Sequence, residues 1–293
     1  MKILIFGERG QIATNLKNLC PKGLKIKFLG RKNLNIEEYQ KIPQVIQQSA
    51  PDLIINAAAY TDVDGAEKNY ELAQKVNALA PKQIAIESKR LNIPFIHFST
   101  DYVLNNESNH SSKEGALPQP LNAYGRSKLE GEKNIVLVDG LYMIIRSSWV
   151  FSLEGTNFLK TILSLAQNHK SIDVIDDQFG GPTPASEIAK ICYKIISNYQ
   201  NQVFHKGIYH FSGFPDVSWA EFASEIIAQA KLTTEINPVS TTFFMNKNNS
   251  YEAVRPLNSR LDCSLIHDFY DIERPCWKSI LQEMMQGNIQ DSR

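Results

Sequence analysis

Three side chains of different chemistry stand at a spacing that proton transfer could use. Thr100 ends the apolar run 95–98 in "FIHFSTDYV", and Tyr124 and Lys128 lie four apart in "AYGRSKLEGEK". Residues four apart on a helix share a face, so the phenol and the amine would look the same way. An ammonium beside a phenol stabilises the phenolate and lowers the phenol from its ordinary value of about 10. A tyrosine so placed is a usable general acid at neutral pH, and a threonine hydroxyl can bond the same carbonyl oxygen. Y-x-x-x-K by itself is common. Its order behind a strand-end threonine and a glycine turn gives it weight.

Those parts need a scaffold, and the chain supplies one. "KILIF" (2–6), "KIKFL" (25–29), "DLIIN" (52–56), "FIHFS" (95–99) and "YMIIR" (142–146) read as buried strands. Segments of helical spacing, such as 11–19 and 66–91, separate them. This alternation over the first 150 residues predicts an α/β fold with a doubly wound parallel sheet. Further on, 157–168 and 185–198 read as helices, 172–184 as a short strand and a turn-rich loop, and 207–211 as a strand. Ser218 with Glu221 forms a capping box ahead of a helix over 218–230, and 246–250 reads as an exposed loop. The expected division is a dinucleotide-binding domain over 1–148, joined by 172–212. A smaller, mostly C-terminal substrate lobe covers 149–171 and 213–293.

"ILIFGERGQIA" sets Gly7, Gly10 and Ala13 at the first strand–helix junction, with Gln11 and Ile12 opening the helix. Such a turn brings backbone N–H groups and a helix N-terminus against a pyrophosphate. The second strand runs into Gly30, Arg31 and Lys32 with no acid before Glu37. A cation there accommodates a 2′-phosphate, so NADPH is the expected cofactor with NADH as the alternative. The competing reading of Arg31 is a solvated basic turn. Ala57, Ala58 and Ala59 follow the third strand, where small side chains leave room for a flat ligand. Trp149 follows the fifth strand and could offer a ligand an apolar wall, or simply pack between lobes. Arg255 in "RPLNSRLD" is the best cation for a substrate pyrophosphate, or a surface strand residue.

With "GERGQIA", "INAAAYTDVDGAE", "FSTDYV", "PLNAYGRSKLEGE", "RSSWVF", "VIDDQFGGPT", "GIYHFSG" and "RPLNSRLD" in order, the chain resembles the extended short-chain dehydrogenase/reductases of Rossmann type. Within them it is similar to the dTDP-4-dehydrorhamnose reductases. That resemblance implies an oxidoreductase of dTDP-rhamnose biosynthesis serving cell-surface polysaccharide. It would reduce the C4 ketone of a 4-keto-6-deoxy nucleotide sugar, dTDP-4-dehydro-L-rhamnose to dTDP-L-rhamnose. Thr100, Tyr124 and Lys128 would be catalytic, with Tyr124 and Lys128 also touching the cofactor. Val63, Trp149 and Asn157 match positions near the sugar nucleotide, together with Thr100 and Tyr124. Some members hold magnesium at a dimer interface through glutamates. Here Asn15 and Ser186 stand at those places, so no metal is expected, and the state is monomer or homodimer. Asn35 stands where relatives often carry Asp beside the adenosine.

The alternatives are another nucleotide-sugar reductase or epimerase, or a non-catalytic binding or regulatory protein on the same scaffold. Related dehydratases follow their threonine with Asp-Glu, whereas this chain has Asp101 and Tyr102. Lys+Arg and Asp+Glu both total 31 in 293 residues, which argues against a nucleic-acid binder. Four cysteines (Cys20, Cys192, Cys263, Cys276) have no metal-site spacing. The chain shows neither a signal peptide nor a membrane span, so a soluble, cytoplasmic protein is expected.

Overall fold

The computed structural model describes residues 1–105, 108–247 and 252–291, with side chains through 286. Strands β1 (Lys2–Phe6), β2 (Lys25–Leu29), β3 (Leu53–Asn56), β4 (Phe95–Thr100) and β5 (Tyr142–Ser147) form one sheet with a sixth strand, Gly207–His210. All pairings are parallel, and from one edge the order is β2, β1, β3, β4, β5 and the sixth strand. This is the doubly wound α/β sheet read from the alternation of apolar runs. Strand order reverses between β1 and β3, whose carboxyl ends bring Phe6 beside Asn56. A crevice opens at such a point.

Both faces of the sheet are covered, which explains strands that are apolar without a break. Ile3 and Ile5 of β1 share a core with Ile188, Cys192 and Ile195 of the helix Ala185–Gln200. Leu4 and Phe6, pointing the other way, pack with Ile42, Ile46 and Ile84. Ile42 and Ile46 belong to a helix, Ile42–Ser49, that has no counterpart in the expected elements. The long helical stretch expected over 66–91 is broken into Val63–Lys68, Tyr70–Gln74, a π-helical turn Lys75–Leu79 and Ala80–Leu91. Asn77, inside the π turn, bonds both backbone groups of Tyr60 and the Ser127 hydroxyl. These bonds compete with a continuous helix, as side-chain insertions commonly do.

A second core lies apart from the first two. Phe151, Leu159, Ile172, Phe222 and Trp277 are among its buried members. The strand Ser171–Ile175 pairs with Glu235–Val239 and sends Ile172 and Val174 into this core. The helix Ala185–Gln200 and the strand Gly207–His210 instead join the large sheet's core. The segment 172–212 therefore contributes to both. The capping box on Trp219–Gln229 is present with both reciprocal bonds. Asn246 and Lys247 close a helix, Thr241–Lys247, and 248–250 lie outside the described residues.

Candidate active site

Two adjoining cavities of about 550 and 660 Å³ run along the carboxyl ends of the strands. They share Arg9, Gly10, Ala57, Ala58 and Ala59, and so form one groove. Gly7 has φ +104°, and a Cβ there would sit 3.0 Å from the Ala57 carbonyl group. Any larger residue would thus close the cradle between β1 and β3 and strain the turn. The helix Gln11–Asn18 follows, its N-terminus without a side-chain cap, leaving N–H groups free for an anion. Arg31, Lys32 and Asn35 line the far end of the groove. The Asn35 amide oxygen accepts from the Glu37 N–H.

The near end collects Val63, Thr100, Tyr124, Lys128, Trp149 and Asn157, with Gln11 and Ile12. Thr100 closes β4, and Tyr124 and Lys128 share the helix Ala123–Val138, whose first turn is capped by Asn122. The Thr100 hydroxyl donates to Asp101 Oδ1 at 3.0 Å and accepts from the Tyr102 N–H. Its proton is thereby committed to Asp101. Burial raises Tyr124 above its ordinary value, while the Thr100 bond lowers it and the Asp101 charge raises it. Tyr124 is therefore held in its protonated, proton-donating form.

Lys128 departs from expectation. Its amine donates to the Phe98 carbonyl at 2.6 Å and lies 3.4 Å from His97 Nε2. It is not among the groups that shift Tyr124, so in this structure the lysine does not lower the phenol. The amine is instead drawn to the carbonyl of Phe98, a contact that spacing along the chain does not reveal. Burial pushes Lys128 itself down to about 8, with Glu132 pulling it back up.

Other site residues have partners of their own. The Gln11 carboxamide oxygen accepts from the Ser152 hydroxyl and from Asn157 Nδ2 at 2.8 Å, and its nitrogen donates to the Val150 carbonyl. Gln11 thus ties the glycine turn to the 150–157 loop. Asn157 also caps the helix Phe158–Ala166 and donates to two loop carbonyls, so its amide is already spent. Arg255 does not line the groove. Its guanidinium pairs with Asp64 at 2.6 Å and donates to the Ala253 carbonyl, strapping its segment to the helix that begins at Val63. Asn15 donates to the Gln11 carbonyl within its own helix. Among the described residues no cluster of three or more His, Cys, Asp or Glu could hold a metal.

Three features are absent from the expected site. Trp219 stacks on Trp149 with ring centroids 3.6 Å apart, fixing an indole whose backbone has φ +49°. A tryptophan opening a helix next to a capping box was the available signal. The second feature is the floor of the groove: Ser99 Oγ, Asp101 Oδ2 and Ser147 Oγ are buried without a hydrogen-bond partner. Orphaned buried polar atoms are costly, and the residues that carry these line the near end of the groove. Burial raises Asp101 to about 6, against the Ser259 and Thr100 hydroxyls. The third is His97, a lone polar residue inside an apolar strand.

Gly125, beside the tyrosine, sets how closely the helix Ala123–Val138 approaches the Thr100 turn. A Cβ there would lie 2.2 Å from the Tyr102 carbonyl oxygen, a contact that only displacement of the helix relieves. Gly125→Ala should lower kcat by about tenfold or more, as ångström-scale misplacement of reacting groups does. Steady-state rates at saturating substrate, with circular dichroism to check folding, decide it. An unchanged kcat would mean that the helix position is slack.

The chain matches the family model described as "RmlD substrate binding domain" over residues 1–289. It is 34% identical to the dTDP-4-dehydrorhamnose reductase of Aggregatibacter actinomycetemcomitans, covering 97% of this chain and 98% of that one. It is 33% identical to the spore coat polysaccharide biosynthesis protein SpsK of Bacillus subtilis, covering 97% of each. The crystal structure of the dTDP-4-dehydrorhamnose reductase from Bacillus anthracis, in complex with NADP, superposes with a TM-score of 0.90. It is 31% identical, over 98% of this chain and 99% of that one. With its groove, its Thr–Tyr pair and its glycine turn in the order the motifs require, the chain belongs to the dTDP-4-dehydrorhamnose reductase family.

Proposed function

We propose that this chain reduces the C4 ketone of a 4-keto-6-deoxy nucleotide sugar, dTDP-4-dehydro-L-rhamnose foremost, with NADPH. The observation that carries this reading is the convergence of Thr100, Tyr124 and Lys128 on the near end of the groove, with the phenol held protonated. Gly7, Gly10 and Ala57 would hold the dinucleotide's phosphates and backbone, and Arg31 its 2′-phosphate. Bound there, the cofactor supplies the hydride. Tyr124 gives its proton to the ketone oxygen, while Thr100, its own proton held by Asp101, lines the same end of the groove. Lys128, released from Phe98, offers a cation beside the phenolate that proton transfer leaves. Trp149, braced by Trp219, excludes water on the apolar side of the sugar. Val63 lines the same end, while Arg255 and Asn157 act through the segments they hold in place.

The activity is tested by following NADPH oxidation with a panel of 4-keto-6-deoxy nucleotide sugars and identifying the product by NMR. Absence of turnover with every member would turn the reading toward a binding protein. A cytoplasmic enzyme, monomeric or homodimeric, goes with this proposal. Among the described residues no helix is long and apolar enough to cross a membrane.

Cofactor choice gives a separate prediction. A charge-assisted bond to the 2′-phosphate is lost only with that phosphate. Arg31→Ala should therefore raise KM for NADPH about tenfold or more, the scale of one hydrogen bond to a charged group, and leave KM for NADH near its starting value. Equal changes for both cofactors would make Arg31 a solvated turn residue.

A further inference from the structure

Behind the groove, Lys128 ends a chain of hydrogen bonds whose direction is fixed at its far end. The Ala58 backbone N–H donates to Asn56 Oδ1 at 3.1 Å. A peptide N–H only donates, so the amide group of Asn56 must turn its NH2 toward His97 Nδ1, 3.1 Å away. An NH2 also only donates, so Nδ1 carries a lone pair and the imidazole proton sits on Nε2. An imidazolium has no lone pair and does not fit. Nε2–H then faces Lys128 Nζ at 3.4 Å, while Nζ donates to the Phe98 carbonyl. An ammonium has donors alone, whereas a neutral amine has the lone pair that Nε2–H requires.

We propose that His97 is a positioning residue for Lys128, held by Asn56 as the Nε2–H tautomer so that it favours the neutral amine in the cofactor-free protein. Asn56, His97 and Lys128 are all buried. The other ionisable groups around the amine come from its own helix and from both flanking strands. Tyr124 and Glu132 lie one turn to either side, Asp101 follows the end of β4, and Arg146 of β5 is bonded to Glu132. Burial lowers His97 well below its ordinary value, with the Lys128 charge acting the same way. Burial also lowers Lys128 to about 8, so its ammonium is given up more easily although it still predominates at neutral pH. Together these leave a lysine that yields its proton to solvent more easily in the cofactor-free protein and takes one back from solvent when the phenolate forms beside it. The inference rests on the proposed reductase reading for its purpose and on geometry alone for its tautomer.

The tautomer is read from two-bond 1H–15N correlation spectra of the protein labelled on its six histidines, without cofactor. The His97 signal is the one missing from His97→Gln. A bare Nδ1 and a protonated Nε2 through the neutral range are expected, and the reverse tautomer or an imidazolium would overturn the proposal. The effect on Lys128 is read from the alkaline limb of kcat/KM, which reports groups of the free enzyme. His97→Leu removes the donor that favours the neutral amine, and the limb should move up by about one pH unit. A limb that stays put or moves down refutes the role even if the tautomer is as described. Should His97→Leu fail to fold, Asn56→Asp serves. Its carboxylate accepts from Nδ1–H, turns the Nε2 lone pair to the amine and adds a negative charge, and again the limb should rise. If no 4-keto sugar is reduced, the function falls while the spectra still decide the tautomer.

Discussion

Replacing Tyr124 by Phe should lower kcat by at least ~10²-fold, the lower end of what general acid catalysis contributes, while cofactor affinity stays near that of the native protein. The phenyl ring still fills the buried space and still meets Tyr102, whose ring lies edge-on at 5.7 Å. What goes is the proton. Thr100 has committed its own hydrogen to Asp101 and cannot serve as donor without breaking that bond. Lys128 lies on Phe98 and His97 in the structure. With no other donor at the ketone, an alkoxide would have to form unprotonated in a site of low dielectric, which is the costly course. Turnover and equilibrium cofactor binding, measured side by side, separate this from a folding defect. Full turnover in the variant would remove Tyr124 from the reaction.

The large sheet was legible in the sequence because its strands are buried on both faces. Ile3, Leu4, Ile5 and Phe6 leave little choice of element, and the glycine turn fixed where the first helix starts. The helix Ile42–Ser49 escaped because a proline and four glutamine or serine positions mask two buried isoleucines. The π turn at Lys75–Leu79 depends on Asn77 reaching Tyr60 and Ser127, contacts that join segments far apart in the chain. The split of 172–184 from the sheet was equally hidden, since the strand Ser171–Ile175 gains its partner from Glu235–Val239, some sixty residues on.

At the site, convergence was legible and state was not. Thr100, Tyr124 and Lys128 converge as their spacing implied, because one strand end and one helical face place all three. The direction of the tyrosine's shift was misjudged. Spacing reports which side chains can meet, whereas burial and the carbonyl that captures Lys128 decide its charge. Arg255 shows the same limit. A guanidinium in a conspicuous motif was matched to an external phosphate, and in the fold it finds Asp64 first.

The largest stability effect is expected one turn beyond Lys128. Arg146 and Glu132 form a bidentate pair at 2.9 and 2.6 Å, each only 2% exposed. His210 lies 3.4 Å from the same guanidinium, and burial followed by the Arg146 charge lowers it to about 3. That imidazole is neutral and cannot replace the cation. Arg146→Met should therefore leave a buried carboxylate alone and destabilise the protein by about 3–5 kcal/mol, the cost of breaking such a pair from one side. An unpaired buried carboxylate can escape by taking a proton. The loss should be deepest at alkaline pH and shrink as pH falls toward the range where the same carboxylate protonates in the unfolded chain, about 4.3. The double variant Arg146→Met with Glu132→Leu removes both charges and should recover most of the loss, since apolar replacement of a buried pair is often neutral. Urea unfolding of the three proteins at two pH values measures all of this. If the double variant were as unstable as the single one, the pair would be holding the fold through packing, and charge would not be the reason it is there.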